Sequence, residues 1–388
     1  MKIIEVQQKS EWKSFHEVPH EVYKSDKSWI AHIEKDIEAV FDPAQNIRFS
    51  NGEAKVFVAL NSKNKPVGRI AAFIDHEMNK KADVKSGGIG FFEVIEDQEL
   101  ANDLFEHAFS YLSKFQIQAV DGPINFGERD KFYGLQTYGF EHKLFQENYN
   151  PTYYRKYIED WGFRPFQQML TFRFFSRQIP VDKFRRISER VMNRYPVRLS
   201  YADPKNYMKN SEDICIIYND AFKDYEHYKP IEPSVVYKMF KEAAPILDPQ
   251  LVSIGYMDDE PAAVAAALPN IAPFTKPLKG KMDMWRIPIF MWKKWTVKRP
   301  DAKGVLSGVR PQFQNKGIYA CVLTHMMSDR NLTKYRSGYM PSIAGHNDLM
   351  INTFTKFSAN VVREHIGFRK MIDSDMELNP FKFKEFER

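Results

Sequence analysis

Gly308-Val-Arg-Pro-Gln-Phe-Gln-Asn-Lys-Gly-Ile-Tyr319 is the point where a strand pattern turns into a helix pattern. The short apolar run Val305-Leu306 precedes it, and a helical pattern from Ala320 to Met327 follows. A strand that runs through a polar turn into a helix leaves the first backbone N–H groups of that helix free and partly positive. Such an end is a ready seat for a phosphate or pyrophosphate. An ordinary glycine-containing turn has the same spelling over these few residues, so the rest of the chain must weigh on the reading.

The 388 residues suggest about two domains. Hydrophobic residues make up 43 % of the chain, and no apolar run approaches the ~18 residues of a membrane span. The first residues, Met1-Lys-Ile-Ile-Glu-Val6, have no long apolar core, so no signal peptide is expected and a cytoplasmic protein is. Only Cys215 and Cys321 occur, which excludes a disulfide framework and a zinc ribbon and fits a reducing compartment. The 56 basic and 50 acidic residues are interspersed, for a net charge of +6. That balance suits an anionic cofactor or an anionic membrane surface and does not argue for nucleic acid.

The chain repeats a pattern. Val56 to Leu60, a polar turn, and Val67 to Phe73 read as strand, turn, strand, and so do Leu251 to Gly255 and Ala262 to Leu268. Tyr154 to Trp161 reads as a helix ending at Gly162-Phe163-Arg164. Asn360 to Ile366 is matched to it as a helix ending at Gly367-Phe368-Arg369, each glycine being a C-cap. Two matches in one order point to tandem copies of one fold. Each copy reads as hairpin, strand, helix, strand, helix, strand. The middle strand of the first is Gly88 to Val94, and the next helix spans about Asp97 to Phe115. The change of copy falls near Ser176 to Pro180, before a helix over Val181 to Arg194, giving units of 1–178 and 179–388.

Gln314-Asn-Lys-Gly-Ile-Tyr319 resembles the Arg/Gln-x-x-Gly-x-Gly/Ala turn of GNAT-fold acyltransferases, which holds the pyrophosphate of coenzyme A. Further motifs resemble the bacterial ceramide synthase-like acyltransferases. They are Asp26-Lys-Ser-Trp29, Phe41-Asp-Pro43, Val67 to Ala72, Gly90-Phe-Phe-Glu93, Gly122-Pro-Ile-Asn-Phe126 and Gly134-Leu135. Gly139-Phe140, Tyr149-Asn-Pro151, Tyr153-Tyr154, Trp292 to Arg299 and Gly308-Val-Arg-Pro311 complete the set. The resemblance implies a mixed α+β chain of two tandem GNAT folds, each a twisted mixed sheet whose fourth and fifth strands splay to receive the cofactor arm. It implies N-acylation of an amine by an acyl-CoA, for some members with a sphingoid base as acceptor. The sequence departs twice: Tyr319 stands where Gly or Ala is usual, and Gly338 to Ser342 lacks the acidic residue of the penultimate strand.

On this reading Val309, Gln314, Asn315, Lys316, Gly317, Ile318 and Tyr319 hold the acyl-CoA, and Gly317 brings bare backbone to the phosphates. The corresponding first-copy segment, Glu93-Val-Ile-Glu-Asp-Gln-Glu99, is acidic, so that copy is not expected to bind coenzyme A. Acyl transfer needs a base for the amine and a donor for the oxyanion. His346, Asn347 and His325 are the candidates in the second copy, with Asn347 equally suited to holding the cofactor arm or a turn. The polar stretch from Gly122 to Pro151 carries Asn125, Glu128, Arg129, Asp130 and Asn148. It reads either as a surface loop tied by Asx turns or, with Tyr153, as a wall facing the amine acceptor. Met282 to Arg299 holds three of the six tryptophans among lysines, which suits a peripheral membrane contact at the inner face or a core helix with snorkelling lysines. His16-Glu-Val-Pro-His20 spells a zinc-protease string, but Pro19 interrupts the turn it needs, so no metal is expected. The alternative to an enzyme is a degenerate pair that binds a ligand or partner without turnover. Aminoacyl transfer from charged tRNA would need a strong basic patch, and the interspersed charges of the chain count against it.

Overall fold

The computed structural model describes residues 1–127, 129, 131–141, 144–224 and 229–387. The first half runs β1 (Lys2–Glu5), α1 (Lys9–Val22), α2 (Glu34–Val40), β2 (Gly52–Leu60), β3 (Pro66–Asp75), α3 (His76–Asn79) and β4 (Ser86–Val94). It continues through α4 (Gln98–Leu112), β5 (Ala119–Gly122), β6 (Leu135–Tyr138) and α5 (Tyr154–Asp160) to β7 (Arg164–Phe175). The second half runs α6 (Val181–Arg194), β8 (Val197–Tyr201), α7 (Tyr207–Phe222), α8 (Pro233–Ala243), β9 (Val252–Met257), β10 (Glu260–Pro269), α9 (Ala272–Thr275) and α10 (Ile287–Thr296). Then come β11 (Ala302–Val309), α11 (Ile318–Met326), α12 (Asp329–Lys334), β12 (Ser337–Ala344), α13 (Asp348–Lys356) and β13 (Asn360–Met371). The two halves share the order read from the sequence.

The strands form one sheet in the order β1-β2-β3-β4-β5-β13-β7-β12-β11-β10-β9-β8, with β6 beside β13. Each half therefore gives its last strand to the other. β13 pairs with β5 of the first half, and β7 pairs with β12 of the second. β7 and β13 lie antiparallel at the centre, with Gln168 opposite Ile366, Met169 opposite His365 and Leu170 opposite Glu364. Helices cover both faces. In β10 the alternation divides the small side chains: Ala263, Ala265 and Ala267 meet the core under α11, while Val264 and Ala266 meet the core under α7. Small residues let both helices approach closely.

One expected helix is a strand. Asn360 to Ile366 is extended throughout, and Gly367 lies inside β13. Its Val-Val pair and Ile366 favour a pleated, buried setting. The true counterpart of α5 is α13. After α5, Gly162 takes φ +99° and the Phe163 N–H reaches the Ile158 carbonyl at 3.2 Å. After α13, Ser358 takes φ +58° and the Ala359 N–H reaches the Phe354 carbonyl at 3.1 Å. Both are left-handed helix stops, one built without glycine. Nor does Pro19 end its helix, since α1 continues to Val22. His16 Nε2 lies 3.0 Å from Glu38 Oε1, and His20 meets Trp29 edge-on. Among the described residues no group of His, Cys, Asp and Glu could hold a metal ion.

Candidate active site

β11 and β12 are parallel neighbours only at Ala302–Gly338 and Lys303–Tyr339. Beyond that both strands are irregular. β11 shifts register against β10, with Ala266 opposite Leu306 and Ala267 opposite Gly304. This leaves Val305 unpaired in that register and 47 % exposed. β12 shifts against β7 between Met340 and Ile343, where Ser342 takes φ +60°. Bulges bend strands and end pairing, so the two strands splay. Facing edges with backbone groups free to pair are what an extended amide-bearing chain can fill.

At one end of the split stands the turn from Arg310 to Gly317. A short 3-10 turn spans Pro311–Phe313, Asn315 takes φ +61°, and Gly317 takes φ +84° as N-cap of α11. No side chain caps this helix. The Gly317 carbonyl accepts the Ala320 N–H at 3.0 Å, while the N–H groups of Ile318 and Tyr319 have no acceptor among the described residues. Gln314 Nε2 donates to the Val309 carbonyl at 3.2 Å, and Lys316 Nζ lies 5.3 Å from the Phe313 ring centroid. Tyr319 folds back over β11 and its hydroxyl donates to Ser307 Oγ at 2.9 Å. Burial pushes that phenol up to about 12.

At the other end a pocket opens beside the Met169–His365 pair. Lys303, Pro341 and Ser342 line it from the split, and Phe132, Tyr133, Gln146 and Glu147 line it from the polar stretch of the first half. Lys303 Nζ donates to the Phe145 carbonyl at 2.7 Å. Glu147 is a fixed charge. Its Oε1 accepts from Thr171 at 3.2 Å, its Oε2 accepts from the Leu144 N–H at 3.0 Å, and Arg363 pairs with it closely. Burial alone would raise this carboxyl, but the Arg363 charge, helped by the Leu144 N–H, brings it down to about 2. His365 is buried, which lowers its pKa. Its Nε2 lies 3.0 Å from the Asn148 carbonyl. A carbonyl only accepts, so Nε2 carries the proton and Nδ1 is the acceptor of the neutral ring.

The expected catalytic and acceptor-wall residues lie apart from one another. His346 is exposed and stacks on Phe381 at 4.9 Å. Asn347 caps α13, its side chain accepting from the Met350 N–H at 3.1 Å. His325 is tied to Ser253 Oγ at 2.9 Å and stacks on Tyr201. Asn148 supports the pocket through its carbonyl, and its side chain donates to the Gly134 carbonyl at 2.8 Å. Asn125 is buried and Arg129 half-buried in the same polar stretch, and neither lines the pocket. Tyr153 donates to the Val94 carbonyl of the first half at 3.0 Å. Glu128 and Asp130 lie outside the described residues. The sequence reading missed Lys303, Glu147 and His365. The available signal was Arg363-Glu364-His365, three polar residues buried in succession on a central strand.

The first half has the same splay, with three paired positions from Ser86–Ala119 to Gly88–Asp121. There the gap is filled: the Ile124 N–H donates to the Ile89 carbonyl at 2.8 Å. Asp97 caps α4 through the Leu100 N–H at 3.0 Å. Glu93 is held by the hydroxyls of Tyr23 at 2.7 Å and Tyr154 at 3.0 Å.

No family model matches the chain. The bacterial ceramide synthase of Caulobacter vibrioides is 26 % identical over 323 residues, covering 81 % of this chain and 82 % of that protein. The chain is a tandem GNAT-fold relative of that synthase. Protein YghO of Escherichia coli is 20 % identical over 310 residues, covering 79 % of this chain and 78 % of its own. Among solved structures, a tandem GNAT protein from the clavulanic acid biosynthesis pathway matches 97 % of this chain and 99 % of its own, with a TM-score of 0.55 at 8 % identity. A glucosamine N-acetyltransferase region of a fungal multi-domain β-N-acetylglucosaminidase matches 95 % of this chain, with a TM-score of 0.57 at 11 % identity. This chain spans 38 % of that structure's length. At such identities the two structures speak for the GNAT fold alone.

Proposed function

We propose that the chain is an acyl-CoA-dependent N-acyltransferase whose second half, within units of 1–178 and 179–388, carries the chemistry. The observation behind this reading is the open split between β11 and β12, with an uncapped helix end at one end and the His365 pocket at the other. The helix end and Lys316 suit a pyrophosphate. The acyl thioester, when bound, supplies the electrophilic carbonyl. The amine attacks in its neutral form, its ammonium having first lost one proton to solvent, and the neutral His365 Nδ1 accepts the second proton as the C–N bond forms, while Nε2 stays tied to Asn148. Lys303 offers a cation to the developing oxyanion. The amine nitrogen bonds to the carbonyl carbon, the C–S bond breaks, and the proton passes to the departing thiolate.

The acceptor is an amine, and a sphingoid-type lipid amine is the first candidate because the relative is named a ceramide synthase. A chain acting on such an amine would work in the cytoplasm at the inner membrane face, with the segment 282–299 toward the lipid. A second reading, a pair that binds ligand without turnover, draws on Tyr319, whose ring covers part of β11. Calorimetry with coenzyme A and single-turnover assays with acyl-CoA and sphingoid amine separate the two. His365→Gln should keep coenzyme A binding and lose about 100-fold or more in rate, the range of a lost general base. The parent's rate should fall below the ordinary histidine range, and the variant should lack that limb. A parent that does not bind coenzyme A overturns the reading.

A further inference from the structure

We propose that α10 and its flanking turns are an interfacial anchor for a bilayer that carries anionic headgroups. The inference rests on surface residues alone and stands apart from the acyl-transfer reading. The connection between β10 and β11 runs from Asn270 to Asp301, whereas its first-half counterpart runs only from His76 to Lys85. The added length is held to the body on one side, where Phe290 is buried against Ile271, Phe274 and Leu278. Its other side is bare. Trp285 is 84 % exposed, Trp295 83 %, Met284 73 % and Trp292 56 %. Large aromatic rings left this open mark a contact surface.

Charge identifies the partner. From Lys276 to Arg299 there are eight basic residues and one acidic, Asp283. Asp283 already faces Arg286 at 3.4 Å. Lys279, Lys281, Lys293 and Lys298 are in no ion pair among the described residues. Protein interfaces concentrate aromatic residues but are depleted of lysine. Tryptophan mixed with lysine on a short helix is instead the composition of a segment lying in a lipid headgroup layer. No helix of the described chain is long and apolar enough to cross a membrane, so contact would be peripheral. The anchor also adjoins the pocket: Phe145 packs against its buried cluster and accepts from Lys303.

Co-sedimentation of the full chain with vesicles tests this. Phosphatidylcholine vesicles containing phosphatidylglycerol should bind at least about tenfold more tightly than phosphatidylcholine alone, with the preference fading in high salt. Tryptophan emission should shift to the blue on binding. Exchanging Trp285, Trp292 and Trp295 for Ala should weaken binding to both vesicle types about tenfold or more. Exchanging Lys279, Lys281 and Lys298 for Glu should abolish the anionic preference while leaving the thermal unfolding temperature unchanged. Equal binding to both vesicle types, or none, overturns the proposal. A parent dimer that the tryptophan variant dissolves overturns it too, because the face is then a protein interface.

Discussion

Gly317 answers to two demands at once. Its φ of +84° suits glycine, and a side chain there would meet Val191 Cγ2 at 2.7 Å, on the helix packed beside α11. The backbone alone makes Gly317→Ala cost about 1–2 kcal/mol, and Gly317→Val adds the collision with α6. Urea unfolding should show that loss without any ligand present. The cleaner probe of phosphate binding is Lys316→Ala, which should weaken coenzyme A several-fold at low salt and less at high salt, read by calorimetry. His16 is the second residue-scale case. Burial, reinforced by Arg69, lowers its pKa from 6.5 to about 3. A folded value below the unfolded one means stability is full above pH 6.5 and falls as pH drops toward 3. The loss should reach at most about 3 kcal/mol by pH 4, and His16→Gln should flatten that part of the pH–stability curve. The same scale shows why the pocket was hidden in the sequence. A single histidine in a segment read as helical gives no hint that Met169 faces it across a central strand pair.

Elements were more legible than residues. The hairpins, α4, α6, the strand-turn-helix at Gly308 to Tyr319 and the stop at Gly162 follow from apolar spacing and turn residues, which act locally. The Gly-Phe-Arg match misled because it aligned Gly367 with Gly162, whereas Ser358 performs the helix stop in the second half. Local sequence also separates the two splits. In the first half the Asp97 carboxylate occupies the helix start, accepting the Leu100 N–H, and Ile124 closes the gap, so that half has neither an uncapped helix end nor an open split. Hydrogen exchange with coenzyme A should therefore protect Gly308 to Met327 and leave Glu93 to Phe105 unchanged. Equal protection of both segments would refute the inequality of the halves.

The exchange of β7 and β13 could not be read from the chain at all. The order of elements is the same whether a last strand returns to its own half or crosses to the other, and the apolar pattern of each strand fits either neighbour. The crossing sets how the whole molecule unfolds. A fragment of 1–178 would leave β5 without its partner β13 and β7 without either of its partners, β13 and β12. Open, apolar strand edges of that kind aggregate rather than persist. The pairing of Met169 with His365 likewise means the pocket exists only when both halves are folded. Heat or urea should thus unfold the chain in one transition, seen alike by tryptophan emission and circular dichroism, despite two GNAT-like halves. Each half expressed alone should be insoluble, and the two co-expressed should be recovered together. A fragment of 1–178 that melts cooperatively by itself would mean β7 can return to β5, and the exchange would then be a choice between two close packings rather than a requirement of the fold.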